Sequence, residues 1–195
     1  MPTGVHIRDV REQLFGAADR ILLRDGPSGL TSRAVTTEAG CAKGVLHRHF
    51  ADFDGFLTEF VLDRVDRMDT QAAALREAAG TGSVVDNVAD ALTALFSSVA
   101  VAIVALIIFR DELRARLRET WPAGVPVLTE AVIMIGDYLT AERALGRLAE
   151  DAAVDQLTPH LIGAGHLLFA DRTGPAPDSD DVRRMVASVL DAALR

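Results

Sequence analysis

The chain has 195 residues, of which 49% are hydrophobic, so it can bury one large or two small compact cores. Aromatic residues make up only 5%, while Ala and Leu recur in nearly every segment, which predicts an all-α protein. The net charge of −8 argues against a nucleic-acid binder if it is evenly spread, and the single cysteine, Cys41, excludes an internal disulfide and indicates a reducing, cytoplasmic setting.

The charge is not evenly spread along the chain. Residues 1–50 contain seven Arg and Lys against five Asp and Glu, giving +2, and the rest of the chain carries −10. A basic N-terminal segment on an acidic remainder is typical of a DNA-binding module attached to a separate core, although a difference of this size also arises by chance.

Nine helices are predicted in chain order, with boundaries set by capping and helix-breaking residues. The first helix ends at Gly26 and Pro27, and a long fourth helix begins after Asp52, a candidate N-cap. The predicted ranges are 8–24, 32–38, 42–49, 52–78, 84–96, 99–118, 125–145, 149–170 and 180–194.

The second and third helices form a candidate helix-turn-helix. Thr31 can cap the second helix, Gly40 permits a tight turn, and basic residues crowd the third helix. Leu46 and Phe50 lie four residues apart and are predicted to face the core of this small unit, which leaves the basic side chains outside. We therefore predict a recognition helix whose N-terminal end, with Lys43, lies near a DNA phosphate.

A longer pattern surrounds this motif. The chain has Ala17-Ala18, Gly26, Leu30-Thr31 and then Ala39-Gly40-Cys41-Ala42-Lys43-Gly44-Val45-Leu46-His47-Arg48-His49-Phe50. Residues 8–62 thereby resemble the N-terminal domain of the TetR/AcrR family of bacterial transcriptional regulators, in which A-G-V-S-K-G-T-L-Y-x-H-F is the usual run. The resemblance implies a TetR-like all-α fold. A three-helix DNA-binding head would occupy residues 1–50, and a six-helix ligand-binding and dimerisation body residues 51–195, with helix 4 connecting them.

Carried over position by position, the resemblance implies DNA contacts at the start of the second helix and along the third. Lys43 is the firmest of them, and Arg33 either binds a phosphate or is solvated. The implied residues are Thr31, Ser32, Arg33, Ala42, Lys43, Gly44, Val45, His47, Arg48 and His49.

Several of these positions depart from the family pattern. His47 stands where Tyr is common, and it can still donate a hydrogen bond to a phosphate. Phe53 replaces the common Lys that opens helix 4, which removes one expected contact with the DNA backbone. Ala42 and Val45 replace Ser or Thr, and Val45 suits a thymine methyl group better than a hydrogen bond.

Metal, redox and catalytic sites are the alternatives to these assignments. His47 and His49 are two residues apart on a helix and diverge, so no metal site is predicted. Cys41 is predicted to be a small buried hydrophobic residue, with a redox-sensing thiol as the open alternative. The chain has no H-E-x-x-H, no G-x-S-x-G and no Gly-rich phosphate loop, so neither an enzyme nor a cofactor is predicted.

The run over residues 99–109 is apolar on every side, which predicts a central buried helix. The run is too short to cross a bilayer, and the N-terminus lacks a signal pattern, so we expect a soluble cytoplasmic protein with no membrane partner. The alternative to core packing is the wall of a cavity for a small hydrophobic effector, as in the family. Its candidate lining residues are Phe96, Val99, Ile103, Ile107, Trp121, Met134 and Tyr138.

Small residues between large aliphatic ones in the last two predicted helices would let another helix approach closely. They predict a four-helix bundle across a two-fold axis, which the resemblance also implies, and packing within one chain is the alternative. The candidate interface residues are His160, Leu161, Gly163, Ala164, Gly165, Leu168, Met185, Val186 and Val189.

The predicted function is that of a homodimeric transcriptional regulator that binds a palindromic double-stranded DNA operator. By resemblance it is a repressor, released by a small apolar effector. The alternative is a helical small-molecule-binding protein whose degenerate head no longer binds DNA.

Overall fold

A computed structural model describes residues 7–122, 124–170 and 175–195, with side chains from residue 10 onward, and within them the chain is helical with no β-strand. The predicted all-α fold is confirmed. The helices are α1 (Ile7–Asp25), α2 (Ser32–Glu38), α3 (Val45–His49), α4 (Phe53–Asp66), α5 (Met68–Glu77), α6 (Val84–Phe96), α7 (Ala100–Phe109), α8 (Asp111–Thr120), α9 (Pro126–Ala144), α10 (Val154–Ala170) and α11 (Ser179–Leu190).

Two long predicted helices are each divided in the structure. The helix predicted over 52–78 is interrupted at Arg67, between α4 and α5, and the helix predicted over 99–118 is interrupted at Arg110, between α7 and α8. Arg110 has an extended backbone (φ −125°, ψ 96°), which stops one helix before the next begins. Neither break contains Pro or Gly, so the sequence carries no local signal for it.

The chain forms two compact units, each with its own core. The first, here the helix-turn-helix unit, holds the described residues up to Asp63 together with those between Ala102 and Ala123. The second, here the body unit, holds Arg64–Val101 and the described residues from Gly124 onward. The domain boundary predicted after residue 50 stays a prediction; in this division most of α4, α7 from Ala102 onward and all of α8 cluster with the helix-turn-helix.

Phenylalanine rings form the core of the helix-turn-helix unit. The Phe15 ring centroid lies 5.9, 5.6 and 5.8 Å from those of Phe50, Phe56 and Phe60, respectively. Leu46 of α3 is fully buried and Phe50 is nearly so, as predicted from their spacing. These contacts hold α3 against α1 and α4 by side-chain packing.

The apolar helix α7 is buried for most of its length but not at its C-terminal end. Ile103 and Ile107 are almost fully buried, whereas Ile108 and Phe109 are 48% and 86% exposed. The prediction that residues 99–109 are buried on every side is therefore wrong at the last two positions. Among the described residues no single helix is long and apolar enough to cross a membrane, although α6 and α7, bent by 54° at their junction, pass that test as a pair.

The body unit contains a buried carboxylate, that of Glu142 on α9. Its Oε1 accepts hydrogen bonds from the Gly80 amide and from Arg147 Nη1, both at 3.3 Å. Arg147 in turn donates to the carbonyl oxygen of Gly82 at 2.5 Å. The group ties the loop between α5 and α6 to the C-terminal end of α9.

Gly165 on α10 lies directly against the ring of Phe96. A Cβ at this position would be 2.7 Å from Phe96 Cε2, too close for a carbon contact, whereas a Cβ on Gly163 would meet nothing within 4 Å. We expect Gly165→Ala to lower the free energy of unfolding by about 1–3 kcal/mol through overpacking. Gly163→Ala on the same helix should raise it by up to about 1 kcal/mol in the monomer, at dilute protein concentration, through helix propensity. Urea unfolding followed by circular dichroism measures both, and shifts of the same sign would contradict this account.

Candidate nucleic-acid interface

The turn between α2 and α3 has the geometry that its sequence predicts. Thr31 caps α2, its Oγ1 accepting a hydrogen bond from the Ala34 amide at 3.1 Å. Gly40 adopts φ +65°, a left-handed conformation that L side chains rarely adopt. The Cys41 amide then donates to the Thr36 carbonyl at 2.9 Å, which closes the end of α2 and sends the chain into the turn.

Helix α3 is shorter than predicted. It begins at Val45 rather than at residue 42, so Lys43 and Gly44 lie in the turn before it. The predicted range 42–49 is wrong at its start, because Gly44 is the N-cap and does not lie inside the helix. With five residues α3 is little more than one turn, and its position depends on packing against its neighbours.

All ten residues predicted to contact DNA are described, and none is buried. Those at the helix starts and on the outer side of α3 are the most accessible. Thr31, Arg33, Ala42, Lys43, Gly44, His47 and Arg48 are exposed, and Ser32, Val45 and His49 are half-buried. The His49 carbonyl also accepts a hydrogen bond from Arg11 Nη1 at 3.4 Å.

Carboxylates neutralise the arginines that lie toward the end of α1. Arg20 Nε lies 2.7 Å from Glu38 Oε1, and Arg24 lies 3.1 Å from the same carboxylate and 2.8 Å from Asp25. Hydrogen bonds from Arg20 first, and then from Arg24, lower the pKa of Glu38. These two guanidinium groups have ion-pair partners within the chain.

The helix-turn-helix itself carries cations without such partners. In the described part of the chain, no carboxylate forms an ion pair with Arg33, Lys43 or Arg48. Their positive charge is therefore free to meet an anion from outside, and His47 and His49 flank Arg48 with further ring N–H donors.

Cys41 is half-buried rather than buried, so the prediction of a buried hydrophobic residue is wrong. The turn places its side chain partly at the surface, where Sγ lies 3.5 Å from the carbonyl oxygen of Ala39. Across the described residues, no group of three or more His, Cys, Asp or Glu side chains is arranged to hold a metal ion.

Two arginines that the sequence analysis did not single out contact the start of α4. Arg116 of α8 forms two hydrogen bonds to Asp52, both at 2.7 Å, and Arg110 Nε lies 2.5 Å from Asp54 Oδ1. The Arg110 guanidinium also lies over the ring of Phe53, 5.2 Å from its centroid. The partners are 56 and 64 residues apart, and no sequence spacing indicates such pairs.

Solved structures share this architecture over nearly the whole chain. A TetR-family transcriptional regulator from Agrobacterium tumefaciens superposes with a TM-score of 0.73 at 12% identity, covering 96% of this chain and 99% of that one. A TetR transcription regulator from Haloarcula marismortui gives 0.70 at 15% identity, covering 97% and 100%. The chain has the TetR-family fold.

A third similar structure is that of NalD of Pseudomonas aeruginosa, the secondary repressor of the MexAB-OprM multidrug efflux pump. It superposes with a TM-score of 0.65 at 19% identity, covering 96% of this chain and 97% of that one. No protein-family model and no curated protein sequence matches the chain. The TetR fold is thus shared across a large sequence distance.

The predicted effector-lining residues are divided between the two units of this TetR fold. Phe96, Val99, Met134 and Tyr138 are buried in the body unit, Ile103 and Ile107 are buried in the helix-turn-helix unit, and Trp121 is half-buried there. Two surface clefts of about 430 and 420 Å³ lie along α9 and share Thr140 and Arg143. Neither is lined by a predicted effector residue, and the effector cavity stays a prediction.

The predicted dimer-interface residues on α10 and α11 differ in how far they are exposed to solvent. Leu161 and Val186 are fully buried within the chain, and Gly165 packs against Phe96, so these three pack inside one chain and do not form an outer face. His160 and Gly163 are exposed, and Ala164, Leu168, Met185 and Val189 are half-buried. Leu167, one of the large aliphatic residues of this pattern, is 76% exposed and lies four residues from Gly163 on the same outer side.

Proposed function

We propose that the chain is a DNA-binding transcriptional regulator that contacts a palindromic operator as a homodimer. The observation that carries this proposal is a set of three exposed cations on the helix-turn-helix of a TetR fold that have no ion-pair partner among the described residues: Arg33, Lys43 and Arg48. Phosphate contacts of this kind supply affinity and register, while side chains on α3 read base edges in the major groove.

The net charge of −8 is compatible with this function. Glu38 and Asp25 are paired with Arg20 and Arg24, whereas the cations of the turn and of α3 have no ion-pair partner among the described residues and can meet a phosphate. Since the Debye length is about 8 Å at physiological salt, exposed acidic residues farther than that from these cations have little influence on them.

The proposed dimer would pair the exposed faces of α10 and α11. Leu167, His160 and Gly163 lie on α10, and an exposed leucine beside a glycine suits close helix packing across a two-fold axis. Two copies of α3 would then enter successive major grooves.

The proposed sense of regulation is repression in the cytoplasm, relieved by a small hydrophobic effector. NalD, which shares the fold, is described as a repressor. An effector that prefers the DNA-incompetent state by a few kcal/mol is enough to shift operator occupancy about a hundredfold.

Selection from a random duplex library, followed by titration at several salt concentrations, tests the proposal. We expect a palindromic sequence to be enriched, and a logarithmic salt slope of about −5, from six cations in a dimer at about −0.9 each. Lys43→Ala should weaken binding and make the slope shallower by about 2, because each protomer loses one phosphate contact.

Arg20→Ala is the matched control. Because Arg20 already pairs with Glu38, its loss should leave the salt slope unchanged. A protein that enriches no sequence and shows no salt-dependent binding would contradict the proposal. That result would favour the alternative of a helical small-molecule-binding protein with a degenerate head.

A further inference from the structure

We propose that Arg110 and Arg116 are positioning residues for the recognition helix, with Phe53 as the docking site of Arg110 and Asp52 as that of Arg116. The inference rests on the proposed DNA-binding function. All of the residues involved belong to the helix-turn-helix unit, whose clustering already includes α8.

The first contact fixes the start of α4. Both oxygens of Asp52 accept hydrogen bonds from Arg116, and Asp52 Oδ1 also accepts one from the Gly55 amide at 2.7 Å. A bidentate guanidinium–carboxylate pair sets orientation as well as distance. Arg116 first, and then the Gly55 amide, lower the pKa of Asp52 to about 2, so the carboxylate stays charged near neutral pH.

The second contact leads from α8 to the end of α3. Arg110 lies over Phe53, whose ring stacks on Phe56 with centroids 5.7 Å apart and planes 16° apart. Phe56 meets the ring of Phe50 edge-on at 5.1 Å and 83°. Phe50 ends α3, its amide donating to the Leu46 carbonyl at 3.0 Å. A continuous series of contacts therefore runs from Arg110 to the recognition helix.

This series matters because α3 is too short to hold its own position. A five-residue helix is not stable alone and takes its angle from the groups that pack on it, here Phe50 and the start of α4. Where the family resemblance leads one to expect a Lys that reaches the DNA backbone, this chain has an aromatic ring engaged by Arg110. At this position the side chain makes a contact within the chain.

The experiment compares Arg116→Ala with Arg118→Ala in the full chain, using the selected operator and a scrambled duplex of equal length. Both variants remove one arginine from α8, but Arg118 is exposed and forms no ion pair with a carboxylate in the described part of the chain.

We expect Arg116→Ala to weaken operator binding by roughly tenfold while binding to the scrambled duplex and the salt slope stay unchanged. Arg118→Ala should leave all three unchanged, and Arg116→Lys should restore part of the operator affinity. Arg110→Ala should act in the same direction as Arg116→Ala.

Three other outcomes would contradict the positioning role, each for a different reason. A shallower salt slope with equal loss on both duplexes would make Arg116 a phosphate contact and overturn the positioning role. A lower melting temperature with unchanged operator affinity, measured well below melting, would leave Arg116 a purely stabilising residue. If the wild-type chain selects no operator, the proposed function fails and this inference fails with it.

Discussion

Replacing Phe56 by alanine is expected to lower the free energy of unfolding of the helix-turn-helix unit by about 3–5 kcal/mol, the usual range for a buried phenylalanine. Phe56 is fully buried and its ring contacts those of Phe15, Phe50, Phe53 and Phe60. Deletion of the ring leaves a cavity that all four neighbours line. Because these rings pack closely against one another, we do not expect them to move far enough to fill the cavity.

Urea unfolding followed by the fluorescence of Trp121, the one tryptophan of the chain, reports on this unit. Phe109→Ala is the matched control, because it removes the same ring from an 86% exposed position of the same unit. The control should change stability by no more than about 0.5 kcal/mol. Equal midpoints for the two variants would mean that the ring cluster does not stabilise the unit.

The same substitution separates stability from DNA binding. Since Phe56 joins Phe53 to the end of α3, Phe56→Ala should weaken operator binding even at temperatures where the unit remains folded. Phe109→Ala should leave that affinity unchanged.

Local signals in the sequence predicted the helix-turn-helix correctly where a capping or turn residue marks a boundary. Thr31 fixes the start of α2 and Gly40 the turn, and both act through the backbone within a few residues. The break at Arg110 has no such marker, because the residue that its side chain pairs with is Asp54, 56 positions away. Long-range pairs of this kind form only in the folded chain, and no periodic spacing in the sequence indicates them.

The burial of some predicted interface residues within the chain has a related cause. Small residues such as Gly165 indicate that another helix or ring approaches closely, and the structure supplies that neighbour from within the chain, the ring of Phe96. A sequence pattern specifies the close approach but not which chain provides the partner. Exposure separates the two cases, and it leaves His160, Gly163 and Leu167 as the outward-facing candidates.

Glu142→Ala should lower the free energy of unfolding of the body unit by about 3 kcal/mol, toward the lower end of the range for removing one partner of a buried ion pair. The Glu142 side chain is fully buried, with Oε2 lying 3.2 Å from Arg147 Nη1. Deletion leaves the guanidinium without a counter-charge and the Gly80 amide without its acceptor. Arg147 keeps 27% exposure and two carbonyl partners, Thr81 and Gly82, which is why the loss stays below the maximum.

Two further variants separate the charge of Glu142 from its shape. Glu142→Gln keeps an oxygen that the Gly80 amide can donate to but removes the charge, so it should lose about half as much stability. Glu77→Ala removes an exposed carboxylate of the same unit and should stay within about 0.5 kcal/mol of wild type. Urea unfolding followed by circular dichroism measures all three. Equal free energies of unfolding for Glu142→Ala and Glu77→Ala would contradict this prediction. They would mean that the cost of desolvating the Glu142 carboxylate cancels its attraction to Arg147, so that the pair fixes the loop between α5 and α6 without stabilising the unit.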